Sequence, residues 1–184
     1  MDNKKGIILV CILIIIFIII CAIELFNKDS RNINIESQEI IYDEESKTED
    51  LEADYKDITV YKEDGTEEKI SDYKNMPIMI LFWNEKSEDS VKVLKKVNEL
   101  YSKYENRIKF FMIDTSDKVD DNIKNEISID IYYDLDKEAI NEYRIKKYPS
   151  MIYIDKNNEV FNAKTGFTTT DALEANLDIL SENF

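Results

Sequence analysis

The chain has no histidine, only two cysteines in 184 residues, three glycines and two prolines. Without histidine, no Ser-His-Asp or Cys-His nucleophile can be assembled, nor any metal site that relies on imidazole. The only glycines are Gly6, Gly65 and Gly166, so a glycine-rich phosphate loop is excluded. The cysteines, Cys11 and Cys21, are ten residues apart in one apolar run. That is roughly 15 Å along a helix, too far for a bridge within the chain. Beyond Ile23 there is no thiol at all. Basic surface is scarce too: 24 Lys and Arg face 39 Asp and Glu, a net charge of −15. Nucleic acid, whose phosphates need a basic face, is therefore excluded as a partner.

What is present begins with GIILVCILIIIFIIICAI, Gly6 to Ile23, 18 residues without a charge. As a helix they would span roughly 27 Å, close to the hydrocarbon thickness of a bilayer. Residues 1–26 are therefore expected to be an uncleaved transmembrane anchor. Cleavage or lipidation at Cys21 is the alternative; against it, Ile20 stands where a lipobox wants a small residue. Lys4 and Lys5 precede the span, and Lys28 and Arg31 follow it, a slim bias for a cytoplasmic N-terminus. The expected location is the cell membrane, single-pass, with the C-terminal domain extracytoplasmic. Abundant Lys, Asn and Ile suit an AT-rich bacterial genome.

Residues 27–54 carry ten acidic side chains against Lys28, Arg31 and Lys47 and show no helical period. Such a segment self-repels and buries little, so an acidic flexible tether is expected. From Tyr55 the pattern changes. Ile58 to Tyr61 and Glu67 to Ile70 flank Asp64-Gly65, a hairpin signal. PIMILFW, Pro77 to Trp83, reads as a strand covered on both faces. Ser87 is a helix N-cap with Glu88 and Asp89 in the first turn, and Leu94, Val97, Tyr101 and Tyr104 recur at helical spacing.

Further elements follow in order: a strand at Ile108–Ile113, a short helix at Asp117–Glu126 and a strand at Ile129–Tyr133. A helix at Asp136–Tyr143 comes next, then a hairpin of Met151–Ile154 with Glu159–Phe161. Asp171 and Glu174 resemble a capping box for a last helix bearing Leu173, Leu177 and Leu180. Alternating strands and helices predict an α/β sandwich with a central mixed sheet.

With PIMILFW, the Ser87-Glu88-Asp89-Ser90 helix start and the Tyr148-Pro149-Ser150 step in this order, residues 55–184 resemble a thioredoxin-like domain of the TlpA/ResA type. The resemblance implies a thioredoxin-like sandwich with an N-terminal hairpin. It places Ser87 and Ser90 on the two positions of the family's Cys-x-x-Cys and implies a cis-proline at Pro149. It also implies a peptide-binding groove lined by Trp83, Glu88, Asp89, Tyr148 and Pro149.

Physical chemistry limits what remains. A thiolate at a helix N-terminus is stabilised by free N–H groups, whereas a serine hydroxyl is not appreciably ionised and forms no disulfide. Glu88 and Asp89 already set negative charge there. Val93 stands where ResA relatives keep a glutamate, and the peroxidatic cysteine of peroxiredoxins is missing as well.

The expected function is a membrane-anchored, extracytoplasmic, non-catalytic binding or assembly component, with no catalytic residue, cofactor or metal. Its expected partner is an extracytoplasmic polypeptide or a membrane-complex subunit. The alternative is a thiol–disulfide oxidoreductase of envelope or cytochrome maturation that works with partner thiols. Asp114, Asp117, Asp120 and Asp121 read as a solvated loop and helix start, with a hard-cation site as the rival.

Overall fold

The computed structural model describes residues 46–116 and 118–182. The expected anchor, Asp117 and residues 27–45 of the expected tether lie outside them. Among the described residues no helix is long and apolar enough to cross a membrane.

The apolar run forms β4, Ile78–Trp83, and all six of its side chains are buried. Successive strand residues point to opposite faces, and the packing follows that alternation. Met79, Leu81 and Trp83 join one apolar cluster, while Ile78, Ile80 and Phe82 join the other. A strand covered on both faces has no use for alternating polar residues, which is why this segment reads as a continuous hydrophobic run.

Before it come β1 (Glu49–Asp50), β2 (Thr59–Tyr61) and β3 (Glu67–Lys69), with a 3-10 turn at Ile70–Tyr73. After it come α1 (Glu88–Tyr104), β5 (Lys109–Asp114), α2 (Asp121–Glu126), β6 (Ile131–Tyr133) and α3 (Glu138–Glu142). β7 (Ser150–Ile154), β8 (Val160–Thr165) and α4 (Thr170–Glu182) complete the chain. One sheet holds all eight strands in the order β1-β8-β7-β4-β5-β6-β2-β3. β4 pairs with β5 in parallel and with β7 antiparallel, so the sheet is mixed as expected. On one face Val93, Leu94 and Val97 of α1 and Leu173, Leu177 and Leu180 of α4 cover the sheet. On the other, Ala139 of α3 and Tyr143 and Ile145 just after it do so.

Several boundaries move. α2 starts at Asp121 because Asp120 is its N-cap, accepting from Asn122 N at 2.8 Å. The strand expected from Ile129 pairs only from Ile131. α4 is capped by Thr169, whose Oγ1 accepts from Ala172 N at 3.2 Å, and not by Asp171. The largest difference concerns residues 46–54, read above as tether. They belong to the folded domain: β1 pairs antiparallel with β8, and Leu51 and Ala53 pack on the second cluster. Main-chain bonds to a sheet edge hold this segment, and an acidic sequence does not prevent them.

Candidate functional site

The site lies where β4 and β5 end, at the start of α1. Beyond Trp83, Asn84 makes a turn: Lys86 N donates to its Oδ1 at 3.0 Å, and Ser87 N donates to its backbone oxygen at 3.0 Å. Ser87 then has extended backbone, and its Oγ accepts from Ser90 N at 3.3 Å, the N-cap bond that the residue type implied. The same Oγ donates to Tyr148 O at 3.5 Å, the outer limit for such a bond. Thus Ser87, Ser90 and the Tyr148-Pro149 step, far apart in sequence, meet at one place. The Tyr148-Pro149 peptide is cis.

Ser90 is fully buried, and among the described residues neither its Oγ nor Trp83 Nε1 has a hydrogen-bond partner. Trp83 itself is 0% exposed and packs in the cluster beneath α1. It is a core residue, so its expected place lining an open groove is corrected. Glu88 and Asp89 lie exposed on the first turn, where Glu88 Oε1 pairs with Lys92 Nζ at 3.0 Å. They set negative charge at the helix N-terminus.

The strand ends supply a second layer. Asp114, paired in register with Trp83, is 1% exposed. Burial pushes its carboxyl pKa up, and the Ser116 hydroxyl, 2.8 and 2.7 Å from its two oxygens, together with Ser116 N, which donates to Oδ2 at 3.1 Å, offsets part of that rise. Nearby Glu85 adds to the rise, while its own Oε2 accepts from Asp120 N at 2.9 Å. Thr115 Oγ1 donates to Trp83 O at 3.0 Å and ties the two strand ends together.

Asp114, Asp120 and Asp121 therefore do not converge. Asp114 turns inward to Ser116, Asp120 caps α2, and Asp121 pairs with Lys124 at 3.7 Å. Among the described residues no group of three or more His, Cys, Asp or Glu is placed to hold a metal ion. Chemically, Ser87 and Ser90 offer hydroxyls with no base bonded to them among the described residues, beside an acidic helix start, while the Ser116 hydroxyl is bonded to Asp114. Sequence reasoning did not single out Thr115 and Ser116, which have no signal beyond following a strand that ends in aspartate.

On the far side of the cis-proline, Pro149 O accepts from Gly166 N at 2.8 Å and from Thr165 Oγ1 at 3.2 Å. Ser150 Oγ donates to Lys147 O at 2.8 Å. The loop is thereby fixed from β7 and β8, and among the described residues the Tyr148 carbonyl has only its long contact to Ser87.

Residues 51–163 match the model of the AhpC/TSA family. No curated protein matches the chain. Among solved structures, the exposed lipoprotein thioredoxin Etrx1 from Streptococcus pneumoniae is 19% identical with a TM-score of 0.57, covering 68% of this chain and 100% of its own. StoA from Bacillus subtilis is 17% identical with a TM-score of 0.57, covering 68% and 98%. A thiol:disulfide interchange protein of the thioredoxin family from Chlorobium tepidum is 13% identical with a TM-score of 0.61, covering 72% and 99%. At these identities the likeness establishes the thioredoxin-like fold.

Proposed function

The chain belongs to the AhpC/TSA family, and from that premise we propose that it is a redox-inactive member that binds a polypeptide. One observation carries this reading: the start of α1 holds Ser87 and Ser90, and no cysteine follows Ile23. Redox chemistry on this fold needs a thiolate that attacks a disulfide sulfur. Ser87 Oγ is engaged as a helix cap, and no histidine exists to take its proton.

A binding role is supported by the loop opposite. The Tyr148 carbonyl has a lone pair to spare, and an extended partner could add its main chain there. In this proposal residues 6–23 anchor the chain in the membrane, with the domain on the extracytoplasmic side.

The test uses the full chain in detergent micelles and in its native host. Insulin reduction is expected to stay at background, and a photo-crosslinker replacing Glu88 is expected to give a discrete adduct that one replacing Lys137 does not. Equal labelling at both positions would sink the binding reading. Family membership favours a second reading, an oxidoreductase that borrows thiols from a partner; insulin turnover above background would select it.

A further inference from the structure

Residues 46–51 run along the outer edge of β8. Lys47 N donates to Phe167 O at 2.9 Å, Leu51 N donates to Ala163 O at 3.0 Å, and Glu49 and Asp50 face Thr165 and Lys164. Two ion pairs flank this short ladder. Glu49 Oε2 meets Lys147 Nζ at 2.6 Å, and Asp50 Oδ1 meets Lys164 Nζ. Gly166, with a φ of +104°, is shaped for the strap, since a Cβ there would collide with Lys47 O.

The hold is nevertheless slight. Asp50 is 90% exposed at its side chain and Glu49 67%, so each pair contributes little and is screened by salt. The ladder itself is only two residues long, and Leu51 and Ala53, which follow it, are only partly buried. Release of this strap would uncover the main-chain edge of β8 and, beside it, the two lysines that now meet Glu49 and Asp50.

We infer that the β8 edge is a strand-addition site for an extended acidic segment, two carboxylate residues followed by leucine, and that residues 46–51 occupy it in cis. The recognition chemistry is main-chain pairing for affinity, with Lys147 and Lys164 selecting acidic side chains. A tethered occupant has an effective concentration in the millimolar range, so a partner segment binds only when the strap is released. The apparent affinity then scales with the released fraction. This site is separate from the start of α1 and stands whether or not that face binds anything.

The probe is a fluorescent peptide of residues 45–54, added at low salt to the full chain in detergent micelles. Two variants release the strap by different means: Glu49→Lys with Asp50→Lys removes both ion pairs, and Leu51→Pro removes the donor to Ala163 O. In both, hydrogen exchange at the Lys47 amide should lose protection at least tenfold while the amides of β4 keep theirs. Both should then bind the peptide at least tenfold more tightly than the unaltered chain. Adding Lys147→Glu and Lys164→Glu to the Leu51→Pro chain should abolish that gain.

Retained protection in both variants, no peptide binding by either, or a gain that survives the lysine reversals would overturn the inference. So would equal binding by the unaltered chain, which would put the peptide elsewhere. A dimer of the unaltered chain in sedimentation that Glu49→Lys with Asp50→Lys dissolves would make the occupant a second copy, and would likewise overturn occupation in cis.

Discussion

β4 and β5 run side by side in parallel, and their two ends handle polar groups in opposite ways. Where the strands begin, Lys109 Nζ donates to Glu68 Oε2 at 3.0 Å, to Tyr73 OH at 2.8 Å and to Tyr132 OH at 2.8 Å. Both phenols in turn donate to Glu68 Oε2, at 2.6 and 2.9 Å, and Lys62 Nζ pairs with Oε1 at 3.2 Å. Each of the three ammonium donors has an acceptor, and the cation also sits 4.1 Å from the Tyr73 ring centroid. Where the strands end, Asp114 is satisfied by Ser116, but Trp83 Nε1 and Ser90 Oγ have no partner among the described residues. A saturated network rigidifies the fold and has nothing left for a ligand. The end with unfilled capacity is the one where Ser87 and Ser90 stand on the positions that the resemblance to thioredoxin-like domains gives to a Cys-x-x-Cys.

The comparison breaks most visibly through Lys109, whose side chain is 17% exposed. Lys109→Ala leaves Glu68, the buried Tyr132 phenol and the half-buried Tyr73 phenol with one partner fewer, and should cost about 3 kcal/mol in a urea denaturation series. A loss below about 1 kcal/mol would mean that the network is ornamental.

Acid sharpens the same contrast. Burial alone would raise the Glu68 pKa, but hydrogen bonds from Tyr73, Lys109 and Tyr132 outweigh it and hold the carboxyl down at about 2. A carboxyl lowered in the fold contributes stability above its unfolded value near 4.5, lost as the pH falls towards 2. Asp114 is shifted the other way, so its ionised form opposes folding and that opposition fades on acidification. The stability gap between the wild type and Glu68→Gln should therefore be widest near neutrality and close below pH 4.5. For Asp114→Asn the gap should move in the opposite sense across the acid range.

Smaller effects belong to the two serines. Ser87→Cys with Ser90→Cys should form a bridge in air, detected by thiol titration, and stabilise by about 2 kcal/mol at most, since the loop closed is short. Free thiols in a folded, aerated sample would count against the geometry of the helix start. Ser87→Ala should cost about 1 kcal/mol through the lost cap. Ser90→Ala should be neutral or stabilising by up to about 1 kcal/mol, because it removes a buried hydroxyl without a partner. Thermal melts of the two alanine variants with the same sign would erase the distinction.

Much of this was legible in the residues. PIMILFW announced a strand covered on both faces, Ser87 announced its cap, and the ordered set from Trp83 to Pro149 announced the fold. Three things were not. β1 is written in Glu49 and Asp50, which carry no apolar alternation; its partner is an edge more than a hundred residues away. Glu68 and Lys109 lie 41 positions apart, and each alone looks like an ordinary surface charge. Trp83 was expected to line a groove because relatives of this fold keep an aromatic residue there, and it packs inward because its strand is sandwiched between layers. Pattern reading sees neighbours along the chain; it does not see which backbone edge is left open or which charges a sheet brings together.

Trp83 has one more consequence. It is the chain's single tryptophan, fully buried at the end of β4 in the cluster it shares with α1. Its fluorescence is therefore a one-site optical gauge, reporting from the α1 end of the sheet alone. With the indole in apolar surroundings, the emission is blue-shifted, and loosening of the helix start moves it to the red. Anything that disturbs only the Lys109 end leaves it in place. The two ends compared above can thus be watched separately in one cuvette, with no label attached.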